Sequence, residues 1–121
     1  MARPAKALRL ERQDGSPVCE RCLLAEAPLT RLKGLLGRRE LPQGEGLLLR
    51  PASSIHMFFM RFPIDAVWLD GDLNVLKVSP GVAPWKVAGC KGANGVVELP
   101  AGEAGRRGVQ PGEQLILRNG I

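Results

Sequence analysis

The sequence predicts a mainly β fold, α+β at most: a compact β-sandwich or barrel-like single domain of about seven short strands with one short helix near residues 28–37. Three observations predict it. Fifteen Gly and ten Pro are scattered from residue 4 to residue 120, which cuts the chain into pieces too short for a series of helices. The apolar residues between these breakers come in brief runs, several of them alternating or β-branched. The 121 residues, 45% of them hydrophobic, suffice for one domain with its own core. That domain is taken as residues 1–121, with the first six set apart as candidates for disorder.

The elements follow in order. Residues 6–12 place Ala7, Arg9 and Glu11 on one side and Leu8 and Leu10 on the other, a strand. Asp14-Gly15-Ser16-Pro17 is a turn, and residues 18–25 form a second strand that can close a hairpin with the first. In residues 28–37, Leu29, Leu32, Leu35 and Leu36 make one apolar stripe at helical spacing, and Gly37 is a suitable stop. Gly34 within that helix costs about 1 kcal/mol relative to Ala. Residues 46–49 read as a buried strand. Asp70-Gly71-Asp72 joins the apolar runs 66–69 and 73–78, and Asp-Gly supplies the positive φ of a tight hairpin. Residues 96–99 and 114–117 are further strands, separated by one helical turn over 102–107.

Charge and cysteine content narrow the function classes. Seventeen Lys and Arg against twelve Asp and Glu give a net charge of +5, which invites anionic partners but is equally a plain solubility feature. The densest basic groups, Arg3 to Arg12 and Arg31 to Arg39, contain none of the aromatics that single-strand binders use for stacking, so nucleic acid is not expected as a partner. A weak contact with nucleic acid or an anionic surface through the basic helix is retained as an alternative. No apolar run reaches membrane-helix length and no signal-peptide core is visible, so a cytoplasmic location without a membrane span is expected. Three cysteines do not make a closed disulfide framework. Cys19, Cys22, Cys90 and His56 hold the inventory of a Cys3His metal site and nothing to spare. Cys19 and Cys22 on one strand should face opposite ways, however, so no metal or other cofactor is predicted.

Information concentrates in residues 53–65, which hold the single His and all three Phe. Polar groups among apolar neighbours must be paired or cost several kcal/mol, and apolar walls with a few convergent polar groups also describe a ligand pocket. If extended, the segment puts Ser54, His56, Phe58 and Met60 on one face and Ile55, Met57, Phe59 and Arg61 on the other. Asp65 stands at a strand entrance, free to accept backbone N–H bonds or to meet Arg61. Glu98 closes an apolar run and needs a partner or a cleft. Trp85 sits in a loop, where a core plug is the simpler role and a stacking platform the alternative.

The blocks 31–38, 44–49, Ser54-Ile55-His56-Met57-Phe58-Phe59-Met60, Phe62-Pro63-Ile64-Asp65 and Glu98-Leu99-Pro100-Ala101-Gly102 resemble the bacterial and archaeal family called domain of unknown function 192, over about residues 19–117. The resemblance implies a compact, mostly β, sandwich-like fold with one short helix. It carries no established catalytic residues. Many members have Cys where this chain has Ala52 and Thr where it has Met57, so a four-cysteine site is not expected here.

Besides that weak anionic contact through the basic helix, the function is open between two classes. One is a small ligand-binding or accessory domain with a pocket around His56, Asp65 and Glu98, lined also by Ser54, Phe58, Arg61 and Trp85, for a small polar or anionic ligand. The other is a small enzyme in which His56 is general acid or base, assisted by Asp65 or Glu98. A Ser hydrolase is disfavoured because no G-x-S-x-G elbow is present.

Overall fold

The computed structural model describes residues 6–26 and 37–119. The helix predicted over 28–37 lies outside the described residues except for its last position. Among the described residues the chain runs β1 (Lys6–Glu11), β2 (Pro17–Ala25), β3 (Glu45–Leu49), β4 (Ser54–His56), β5 (Ile64–Leu69), β6 (Val75–Val82), β7 (Val87–Gly89), β8 (Gly95–Pro100), α1 (Glu103–Arg106) and β9 (Ile116–Asn119). No helix among them is long and apolar enough to cross a membrane.

Seven strands form one sheet in the order β6-β5-β8-β3-β2-β1-β9, and β4 and β7 pair separately. Only β2 and β3 run parallel within the large sheet, so a crossover must join them. The sheet curls. Val75 N–H donates to the Glu113 carbonyl at 2.7 Å and Leu115 N–H to the Leu73 carbonyl at 2.9 Å, linking the start of β6 to the segment before β9. The two ends of the strand order therefore meet, in an open barrel. Its inner face is one core, with Leu10, Val18, Leu48, Val67, Val97 and Leu99, closed by Ala104 of α1 and Val109. Its outer face over β3, β5 and β8 carries a second core of Leu47, Leu49, Ala66, Trp68 and Val96, on which Met57 and Met60 pack. The Trp68 indole N–H in that layer donates to the Ser79 hydroxyl at 3.1 Å.

Every residue of β5 and β8 is buried, because each strand has a core on both faces. Any acidic residue placed in them is drawn out of water whichever way it points. This is why Asp65 and Glu98 are buried.

The strands follow the predicted pattern, with two additions and one correction. β4 and β7 are three residues each, too short to show a period. The β5–β6 turn takes its positive φ at Leu73 (66°), not at Gly71. Asp70 fixes it, its Oδ1 accepting the N–H groups of Asp72 and Asn74, each at 2.9 Å. Leu73 then reaches the inner core, so a packed apolar side chain occupies the left-handed position.

Gly46 in β3 shows how tightly β2, β3 and β8 approach. A Cβ there would lie 2.9 Å from Cys19 Sγ and 2.9 Å from the Glu98 carbonyl oxygen. The second neighbour is backbone and cannot swing aside. Gly46→Ala should therefore lower stability by about 1–3 kcal/mol, the usual cost of overpacking. A urea midpoint equal to that of the parent would refute the close approach.

Candidate functional site

The short hairpin is the outermost layer, and its pairing decides what faces water. Ser54 pairs with Gly89, Ile55 with Ala88 and His56 with Val87. Alternation turns Ile55 onto the outer core and leaves Ser54 and His56 exposed. Two more hydrogen bonds extend the pairing: Met57 N–H donates to the Lys86 carbonyl and Trp85 N–H to the Met57 carbonyl, both at 2.7 Å. They bring the 57–60 turn against the 83–86 turn.

The extended face predicted for residues 54–61 breaks at this turn. Met60 N–H donates to the Met57 carbonyl at 3.2 Å. Both methionines plunge inward, and Phe58 and Phe59 between them are forced out. Met60 consequently does not share a face with Phe58. Phe59 has φ of 66° and Trp85 of 71°. Left-handed backbone costs an L-residue about 1–2 kcal/mol. Neither ring recovers that cost by burial, since Phe59 is 71% and Trp85 59% exposed. The core-plug role considered for Trp85 is thus corrected, because its turn holds the ring outside the outer core.

The four rings form a shelf. His56 and Phe58 stack at 4.7 Å and 27°, Phe58 and Trp85 at 6.0 Å and 30°, and Phe59 leans on Trp85 at 4.8 Å. An open cavity of about 500 Å³ adjoins it, lined by Ser54, Ile55, His56, Val87, Ala88 and Gly89. His56 belongs to both the shelf and the cavity.

The carboxylates lie elsewhere. Asp65 Oδ1 accepts from Gly81 N–H at 2.9 Å, and its Oδ2 accepts from Ala104 N–H at 3.0 Å in the first turn of α1. Both oxygens are engaged, and Asp65 makes no ion pair with Arg61, which is exposed. Of the two roles open to Asp65, backbone N–H bonds or a contact with Arg61, the structure shows the first, because the strand carries Asp65 into the inner layer. Register separates the two acids as well. Asp65 pairs with Leu99 and Ala66 with Glu98, so neighbouring strands β5 and β8 send them to opposite faces of the sheet. No hydrogen bond or ion pair joins His56 to either acid. His56, Asp65 and Glu98 do not converge on one pocket.

Glu98 is 7% exposed, on the outer face between Leu47 of β3 and Ala66 of β5. Among the described residues no hydrogen bond or ion pair reaches its carboxyl. Burial alone pushes its carboxyl up to about 7.

The cysteines are also divided. Cys19 and Cys22 share the inner core, and Cys90 packs against the outer one. The pair does not point to opposite faces as a regular strand would require. A bulge places two residues of β2, Glu20 and Arg21, against Arg9 of β1, and the extra residue restores a common face. The Cys19 thiol as hydrogen-bond partner, together with burial, pushes the Cys22 thiol up, away from the reactive thiolate. With exposed His56 on the outer hairpin, these four groups do not meet, and no cluster of three metal-ligating side chains occurs among the described residues.

Phe59, Lys86 and Val87 join the surface without having been assigned to the predicted site. The adjacent Phe58 and Phe59 were visible in the chain, but their outward direction depends on the 57–60 turn.

The chain is similar to known proteins in sequence and in fold. The family model described as "DUF192: Uncharacterized ACR" matches residues 10–117. No curated protein matches the chain. A crystal structure from Sinorhizobium meliloti 1021, described provisionally as a transcription regulator, is similar with a TM-score of 0.83 and 25% identity, covering 100% of this chain and 99% of that one. A second, a protein of unknown function from Novosphingobium aromaticivorans DSM 12444, has a TM-score of 0.76 and 23% identity over 95% of this chain and 93% of that one, a likeness of fold.

Proposed function

The chain belongs to the DUF192 family, whose activity is uncharacterised, and from that premise we propose that it is a ligand-binding module whose contact surface is the ring shelf of His56, Phe58, Phe59 and Trp85. One observation carries this reading. Two large aromatic side chains are held in strained backbone and exposed to water. Strain kept without a packing return is characteristic of binding and catalytic sites. Near-parallel rings suit a ligand with a flat face, and the adjoining cavity has the volume of a small-molecule site. Ser54 and His56 supply hydrogen-bonding groups at its wall, and exposed Arg61 follows the shelf by two residues.

The contact is tested by following the ring protons of Phe58, Phe59 and Trp85 by NMR while titrating maltohexaose and, separately, thymidine monophosphate. Shifts confined to the shelf with at least one probe, and lost in Trp85→Ala, are expected. Silence with both, or shifts centred on another face, would sink the reading.

An acid–base enzyme is the second reading, and Glu98 alone favours it, since burial pushes its carboxyl up to about 7 and no described residue pairs with it. Asp65 is bound by backbone N–H groups and His56 stands apart, so that reading has one of its three groups in place.

A further inference from the structure

The segments that build the shelf carry no acidic residue. Residues 46–64 and 73–97 build β4, β7, both aromatic turns and most of β3 and β6. They contain Arg50, Arg61, Lys77, Lys86 and Lys91, and no Asp or Glu. Asp65 and Glu98, the acids that bound these stretches nearest the shelf, are buried in the central strands. Arg50 is paired with Glu26, and the Lys77 ammonium donates to the Gly89 carbonyl at 2.9 Å. Arg61, Lys86 and Lys91 are exposed, and among the described residues none of them pairs with a carboxylate. Lys86 is next to Trp85 and its carbonyl holds Met57; Arg61 follows Phe59 by two residues; Lys91 follows β7.

Stacked rings on segments that carry exposed cations and no acidic residue are complementary to flat bases on a phosphate backbone. Building on the shelf reading above, we infer that its ligand is single-stranded nucleic acid, with bases stacking on Trp85 and Phe58 and phosphates meeting Arg61, Lys86 and Lys91. The sequence argues against such a partner because its two basic clusters lack aromatics. A third group lies in the segments that carry the rings and their hairpin, with exposed Arg61 and Lys86 beside the two aromatic turns and exposed Lys91 past the Gly89 end. A duplex hides its base faces, so the shelf reads only unpaired strands. An anionic membrane would share the cations and the exposed Phe59. However, His56 within the ring stack and Ser54 in the adjoining cavity offer hydrogen-bonding groups that base edges use and acyl chains do not.

Binding is measured on the whole chain by quenching of Trp emission with oligodeoxythymidylate, at several salt concentrations. Quenching is expected at low salt. The logarithm of the affinity should fall against the logarithm of salt with a slope of about −2, from roughly 0.7 per phosphate for three cations. Trp85→Ala should weaken binding about 5- to 150-fold when read by anisotropy of a labelled strand. Lys86→Gln, an exposed change that leaves the fold intact, should reduce the slope by about 0.7. No binding at low salt, affinity unchanged in Trp85→Ala, or a slope unmoved in Lys86→Gln overturns the inference. Quenching by phosphatidylserine vesicles in place of the oligonucleotide overturns it too. If maltohexaose shifts the shelf while the oligonucleotide does not, the inference fails and the ligand-binding module stands. If neither probe nor oligonucleotide touches the shelf, both fail.

Discussion

Replacing Asp65 by Ala should lower the free energy of unfolding by about 3–5 kcal/mol, enough to consume much of the stability of a small domain. The side chain is 1% exposed, and its two oxygens satisfy two separate pieces of backbone. Gly81 N–H, at 2.9 Å, belongs to β6; Ala104 N–H, at 3.0 Å, opens the single helical turn. Hydrogen bonds to a charged group are worth about 1.5–3 kcal/mol each, and Ala would leave both donors unpaired in the interior. Asn supplies one oxygen and turns an NH2 group toward the other donor, so Asp65→Asn should lose less than Ala but remain clearly destabilised. Urea unfolding of the two variants measures this. A loss below about 1 kcal/mol for Ala would mean that water replaces the carboxylate and that the residue is not a structural tie.

Glu98 is the opposite case, a buried carboxyl with nothing to hold it. Glu98→Gln should abolish a pH dependence of stability that the parent shows between pH 4.5 and about 7. The unfolded carboxyl titrates near 4.5 and the folded one at about 7, so the folded state holds the proton more tightly. Stability from this group is fully present below pH 4.5. It declines as pH rises through the window and levels off above about 7. The difference corresponds to roughly 3 kcal/mol, because the ionised carboxylate loses water and gains no partner. Gln keeps the shape and cannot ionise. Its curve should stay flat across the window and cross the parent's, so that Gln is the more stable protein at alkaline pH. Denaturation midpoints over that range decide the matter. A parent curve that rises or stays level from pH 4.5 to 7 would show that Glu98 finds a counter-charge. Its surroundings set it apart from Asp65, whose two oxygens are held by backbone N–H groups.

Much of the fold is legible in the chain, for local reasons. The alternation of Leu8 and Leu10 with charged residues, the Gly and Pro breakers, Asp70 at the hairpin and the apolar runs of β5 and β8, each holding one acid, all act on neighbours a few residues away. That is the range over which backbone propensity and the two-residue period of a strand operate. The same logic locates Ser53 to Asp65 as the informative segment, and it marks Glu98 as a group in need of a partner or a cleft.

Tertiary pairing decided the rest. Asp65 and Glu98 part company because a register of Asp65 with Leu99 sends adjacent strands' acids to opposite faces, and register is a property of two strands together. Cys19 and Cys22 share a core because of a bulge that exists only against β1. His56 and Trp85 meet around Phe58 through a hairpin of three-residue strands, too short to leave a pattern in the sequence. By itself, then, the sequence determined which stretches are strands and which residues are costly to bury. Packing between distant strands chose the faces, since the free energy of excluding water depends on what lies opposite a side chain and not on what precedes it.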